Sequence, residues 1–191
     1  DYDSEFRSNG KPLPTLFSMD ACEKVIYMNT FSKSLTPTIR ISYMILPVHL
    51  ANQFYRQLSF YSCTVSNFEQ YTLAAFINQG YFEKHINRMR LFYSRQRKKL
   101  IEAIEHSSLK EKCRIIENDS GLHFLLHLQT ELSDQCLSEQ LKQQGIKMRP
   151  LSEYFLTAEN SREHYFIINY SSVDLEKIPA ACERISQLLS E

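Results

Sequence analysis

Hydrophobic and polar positions repeat with two different periods along this chain, and the periods sort it into elements. KVIYMNTF, 24–31, and IRISYMILP, 39–47, are short runs rich in β-branched and aromatic residues, which predicts two buried strands, the second closed by Pro47. From Val48 the spacing turns helical, with Leu50, Phe54, Leu58 and Tyr61 recurring every three or four residues. A second helical stretch runs from Asn67 to Asn78 and stops at Gly80. Residues 81–107 then predict one long amphipathic helix. Ile86, Met89, Phe92, Tyr93, Leu100 and Ile104 occupy one side, and Arg88, Arg90, Arg95, Arg97, Lys98 and Lys99 the other.

After Ser107 the elements shorten. CRIIEN and GLHFLLHL alternate as strands do, DQCLSEQLKQQG is a helix ended by Gly145, and IKMRPL and HYFIINYSS are strands. LEKIPAACERISQLLSE is a final helix with Pro179 in its first turn, where proline is tolerated. Residues 1–20 carry Gly10, Pro12 and Pro14 among polar neighbours and read as a loop. The second half is thus a strand–strand–helix–strand–strand–helix layer of α+β type, which the long helix joins to the first half.

Composition narrows the function. The 191 residues are 43% hydrophobic and 23% charged, with 22 Lys+Arg against 22 Asp+Glu. Zero net charge argues against a basic nucleic-acid module, so the basic run on the long helix reads as a solvated face. No apolar run approaches the roughly 18 residues that a membrane span needs, and the polar Asp1–Arg7 stretch is no signal peptide. The five cysteines form no CxxC pair and read as reduced, packing thiols of a cytoplasmic protein. With 4 glycines there is neither a GxGxxG nor a Walker A loop. His123 and His127 share one strand face without further ligand candidates nearby, so no metal is expected. Ser, His and Asp candidates for a triad lack a nucleophile elbow.

One stretch carries chemistry. In TFSKS, Lys33 follows a predicted strand and sits between Thr30, Ser32 and Ser34, with Arg40 seven residues beyond it. A lysine desolvated at a strand end becomes a nucleophilic amine, and two hydroxyls with an arginine on one turn suit a phosphate. That is the equipment for a lysine-bound pyridoxal phosphate (PLP), although an isolated Ser-Lys-Ser is usually an exposed loop.

The context extends the pattern. DYDSEFR (1–7), GKPLPTL (10–16) and VIYMNTFSKSLTPTIRISY (25–43) together resemble fold type I PLP proteins of the aspartate aminotransferase superfamily. More narrowly they resemble the MocR/GabR branch of the GntR transcription regulators, in which an aminotransferase-like domain follows an N-terminal winged helix-turn-helix. DYDSEFR sets this branch apart from free-standing enzymes. The likeness continues through GLH (121–123) and MRPLS (148–152) to the last helix.

The resemblance implies an α/β fold of PLP-transferase type: residues 1–80 the C-terminal part of the PLP-binding large domain, 81–107 the interdomain helix, 108–191 the small α+β domain. It implies that Lys33 forms the internal aldimine, that Arg40, Thr30 and Ser32 hold the phosphate, and that Tyr2 bonds the phenolic oxygen. The aspartate that pairs with the pyridine nitrogen would immediately precede Asp1. The chain then reads as a piece of a longer protein that, alone, holds PLP weakly or not at all. Relatives carry an arginine for the substrate carboxylate in the strand before the last helix; here Ile167 occupies that place, with Arg149 and Arg162 as substitutes. The implied function is a PLP-binding effector domain that senses PLP or an amino compound through aldimine chemistry at Lys33. It would be a homodimer that binds DNA through a winged helix outside this chain and has at most weak transaminase activity. The alternatives are a true aminotransferase acting on amino acids and a folded piece with no ligand of its own.

Overall fold

The computed structural model describes residues 4–7, 13–116, 121–156 and 163–190. The chain divides into two compact units, Asp1–Arg90 and Leu91–Glu191.

In the first unit, the predicted opening loop contains one helical turn, α1 (Leu16–Met19). Thr15 starts it: its hydroxyl accepts from Ser18 N at 3.0 Å, a side-chain cap that outweighs the nearby prolines. Asp20 then shapes the approach to the first strand. Its carboxylate accepts backbone N–H bonds from Cys22 (2.9 Å), Lys24 (2.5 Å) and Val25 (2.6 Å). The Val25 and Cys22 amides hold the Asp20 carboxyl below its ordinary value.

β1 (Tyr27–Thr30) runs directly into α2 (Phe31–Ser34), and β2 (Ser42–Ile45) returns antiparallel to β1, with Tyr27 opposite Ile45 and Thr30 opposite Ser42. Both strands are shorter than their apolar runs. The sequence predicts a buried second strand, yet all four β2 residues are exposed. The reason is neighbours: among the described residues this sheet has two strands, so β2 has a strand on one side. α3 (Val48–Leu58) and α4 (Asn67–Asn78) form where the spacing predicts them, but neither buries a residue. The Ser66 hydroxyl starts α4 by accepting from Glu69 N at 3.3 Å. Gly80, at φ 75°, supplies the left-handed turn that ends it.

α5 (Tyr81–Glu105) is the predicted long helix. Ile86, Leu100 and Ile104 lie on its buried stripe, whereas Phe92 is 48% exposed. Phe92 sits one residue, about 100° of helix, before the stripe position Tyr93.

The second unit holds a four-stranded antiparallel sheet in the order β3–β4–β6–β5. The strands are β3 (Cys113–Ile116), β4 (His123–Leu128), β5 (Arg149–Pro150) and β6 (Tyr165–Asn169). β4 shows the predicted alternation, with Phe124, Leu126 and Leu128 buried and His123 and His127 on the opposite face. Phe166 of β6, Leu137 and Leu141 of α6 (Asp134–Gln143), and Cys182, Ile185 and Leu188 of α7 (Ile178–Leu188) are buried as well and complete the core of this unit. β5 is far shorter than IKMRPL predicts, because Pro150 has no N–H for the ladder and the chain turns into a 3₁₀ turn at Leu151–Tyr154.

Polar bonds tie this core. The Tyr170 hydroxyl donates to Gly121 O at 2.7 Å, and Lys112 Nζ donates to Ser186 O at 2.6 Å and to the Ser190 hydroxyl. The buried Asp134 carboxylate accepts from His164 N at 2.8 Å and from the Ser152 hydroxyl. All five cysteines are free thiols; Cys22 and Cys63 are exposed and Cys182 is buried. Among the described residues, no cluster of His, Cys, Asp or Glu could hold a metal ion, and no helix is long and apolar enough to cross a membrane.

Candidate functional site

The site grows from the junction of β1 and α2. Thr30 is the last strand residue and keeps extended geometry (φ −137°, ψ 148°), so its side chain caps the next turn. Thr30 Oγ1 accepts from Ser32 N at 3.2 Å. The same hydroxyl lies 3.0 Å from Ser32 Oγ and 3.1 Å from Ile41 O, with one proton to share between them. The turn is therefore short and tight. Leu35 N closes it onto Phe31 O at 2.9 Å, and Ser34 is buried beneath it. Lys33 sits on this turn, half-buried, between Ser32 and Ser34.

The chain returns to the turn at Ile41, whose carbonyl accepts from Phe31 N at 3.0 Å as well as facing Thr30. Arg40, immediately before it, is exposed and has φ 48°, a left-handed conformation that costs a non-glycine residue about 1–2 kcal/mol. The structure thus brings Thr30, Ser32 and Lys33 onto one turn and the Arg40 backbone against it. Aromatic rings support the turn: Phe31 packs on Tyr43 at 5.2 Å and on Phe82 at 5.9 Å.

Sequence reasoning missed the residues beneath this turn. Asn29 is 7% exposed inside β1. Its Nδ2 donates to Glu5 Oε1 at 3.2 Å and to the Tyr27 hydroxyl at 3.0 Å, while its Oδ1 accepts from Thr30 N at 2.7 Å. Glu5 is in turn anchored, its carbonyl accepting from Arg90 Nε at 2.6 Å. Burial pushes the Tyr27 phenol up, an effect opposed by the bond from Asn29. The signal available in the sequence was one amide inside an apolar strand run.

Two predicted site residues, Tyr2 and Arg162, lie outside the described residues. Arg149 belongs to the second unit, in β5, as the register partner of Ile167 in β6. Its Nη1 donates to the Tyr154 hydroxyl at 3.2 Å, and its Nε stands 3.6 Å from Glu153 Oε2. The Tyr154 hydroxyl, then the Glu153 charge, raise the guanidinium's pKa further. Arg149, Lys142, Lys147, Glu139 and Ile167 line an open cleft of about 780 Å³ beside α6.

Comparisons with known proteins identify the family of the chain. Residues 3–185 match the family model of aminotransferase class I and II. The chain is 46% identical over 152 residues to the uncharacterized HTH-type transcriptional regulator YdeL of Bacillus subtilis, covering 80% of this chain and 33% of that protein. It is 36% identical over 174 residues to the Rhizobium meliloti protein named "Probable rhizopine catabolism regulatory protein MocR", covering 91% of this chain and 35% of that protein. It thus spans about a third of the length of these regulators. Among solved structures, the Pyrococcus horikoshii kynurenine aminotransferase matches with a TM-score of 0.79 and 25% identity, over 98% of this chain and 46% of that one. The fold is that of the fold type I PLP aminotransferases. The chain belongs to the aminotransferase class I and II family, and within it is similar to the aminotransferase-like region of MocR-type regulators.

Proposed function

We propose that this chain is the PLP-binding part of the effector domain of a MocR/GabR-like transcription regulator, sensing PLP, an amino compound, or both at Lys33. The observation that carries the reading is the Thr30–Ser32 hydroxyl pair on the turn that bears Lys33, with the left-handed Arg40 held against it through Ile41. These groups fit PLP: two hydroxyls and a guanidinium suit its phosphate, and an amine between them suits its aldehyde. When bound, PLP supplies an electrophilic carbonyl that exchanges between amines. The chain's own residues bind and orient. Arg40, Thr30 and Ser32 hold the phosphate; Lys33 provides the amine and moves the proton at its Nζ; Tyr2 bonds the phenolic oxygen; Arg149 or Arg162 takes a carboxylate.

In this reading residues 1–80 are part of the large domain, 81–107 the interdomain helix and 108–191 the small domain. The whole protein acts in the cytoplasm as a homodimer. It contacts DNA through a winged helix outside this chain, and an amino compound biases that contact by changing domain closure. The regulators at 36–46% identity support this reading.

The second reading, an aminotransferase in which Lys33 is the acid–base, is supported by the likeness to the kynurenine aminotransferase. An absorbance spectrum of the full protein with PLP, scanned with amines and paired with an operator-binding assay, tests both. A lysine-bound PLP band that amines shift, with altered DNA affinity and little turnover, fits the regulator. Sustained conversion of amine to carbonyl product without a DNA effect fits the enzyme. A visible band that persists in Lys33→Ala sinks both.

A further inference from the structure

We infer that Asn29, backed by Glu5, is the positioning residue that aims the Thr30–Ser32 hydroxyl pair at a ligand phosphate, an inference that rests on the PLP reading above. Asn29 is a carboxamide within a strand, 7% exposed, and such a group is tolerated only when its polar atoms are paired. Every proton it has is assigned. Both Nδ2 protons are taken, by Glu5 Oε1 and the Tyr27 oxygen. The orientation of the amide follows from chemistry, because the Thr30 backbone N–H can only donate, so the amide oxygen must face it and the nitrogen faces Glu5. Oδ1 takes the Thr30 N–H at 2.7 Å.

That last bond has a consequence for the site. It joins neighbouring residues and fixes the peptide entering Thr30 at the point where the chain leaves the strand. Thr30 is the residue whose hydroxyl caps the Lys33 turn and meets Ser32 Oγ. A run of bonds therefore leads from Arg90 Nε through Glu5 and Asn29 to the two hydroxyls. Every link lies within the first unit. Asn29 touches neither lysine nor ligand in this scheme; it sets the direction in which two hydroxyls point.

The test compares PLP with pyridoxal, which lacks the phosphate, on the full protein and its Asn29→Ala variant. A positioning residue for the phosphate hydroxyls lowers PLP affinity by about three- to tenfold, the scale of one hydrogen bond, and leaves pyridoxal affinity unchanged. Equal losses for the two ligands, or no loss for either, would overturn the inference. Should Asn29→Ala fail to fold, Glu5→Ala leaves the amide in place but unclamped, and a smaller loss confined to PLP is expected; unchanged PLP affinity in that variant overturns it equally. A wild-type protein that binds neither ligand would instead remove the PLP reading itself, and this inference with it.

Discussion

Arg149 of β5 and Ile167 of β6 are direct register partners. Directly opposed residues of an antiparallel pair project to the same sheet face, about 4.5–5.5 Å apart at Cβ. Resemblance to the family leads one to expect an arginine at 167; the Arg149 guanidinium, proposed above to take a carboxylate, stands on the neighbouring strand and lines one cleft with Ile167. The Glu153 and Tyr154 contacts leave this guanidinium further nitrogens to donate. Arg149→Ala is therefore expected to weaken the response to carboxylate-bearing amines by at least about tenfold, the scale of a charged hydrogen bond, while simple amines are unaffected. Amine titrations of the PLP spectrum check this, and an equal effect on both classes refutes it.

Arg40 allows stability and binding to be separated. Its φ of 48° suits glycine. Arg40→Gly should relieve left-handed strain and leave thermal stability within about 1 kcal/mol of wild type or above it. The same variant should lose PLP affinity by a few kcal/mol, as when one partner of a charge-assisted phosphate contact is removed. A melt and a PLP titration on one preparation decide the matter.

Asp134 is expected to be structural. Its carboxylate accepts the His164 backbone N–H and the Ser152 hydroxyl, joining the start of α6 to the segments before β6 and after β5. Asp134→Ala leaves those donors unpaired and should cost about 1–3 kcal/mol each by chemical denaturation. PLP affinity that fell in a fully folded Asp134→Ala protein would contradict a purely structural role.

The second unit should weaken in alkali. Burial, then the neighbouring Cys182, push the Cys113 thiol up to about 11 from an ordinary value of 9.0. A thiol raised in the fold favours its neutral form there, so its contribution is complete below pH 9 and is lost as pH rises from 9 to 11. Unfolding midpoints should fall across that window, and Cys113→Ala should flatten the fall. Alkylation at neutral pH should reach the exposed Cys22 and Cys63 before Cys113 or the buried Cys182.

Elements with a strong local signal were legible in the sequence. β4 followed from strict alternation, α4 and α6 from helical spacing ended by Gly80 and Gly145, and α5 from its long stripe. Burial was less legible, because it depends on neighbours that periodicity does not name; β2 and α3 have the expected pattern without the expected core. In the site, the Thr30–Ser32–Lys33 turn was readable from small hydroxyl residues after a strand. Asn29 was not, since one amide in an apolar run looks like an outward-facing position until Glu5, far away in sequence, is found against it.

The openness of β2 bears on handling of the protein. Ile41 to Leu46 is an uncharged, β-prone hexapeptide, and the four residues of its strand are all exposed, with β1 as the strand partner among the described residues. Segments of this kind stack into cross-β fibrils when a chain loosens. Arg40 and Pro47 bracket it, and a charge and a proline are the residues that block such stacking. On heating, these two flanking residues are therefore what stands between an opened β2 and fibril stacking.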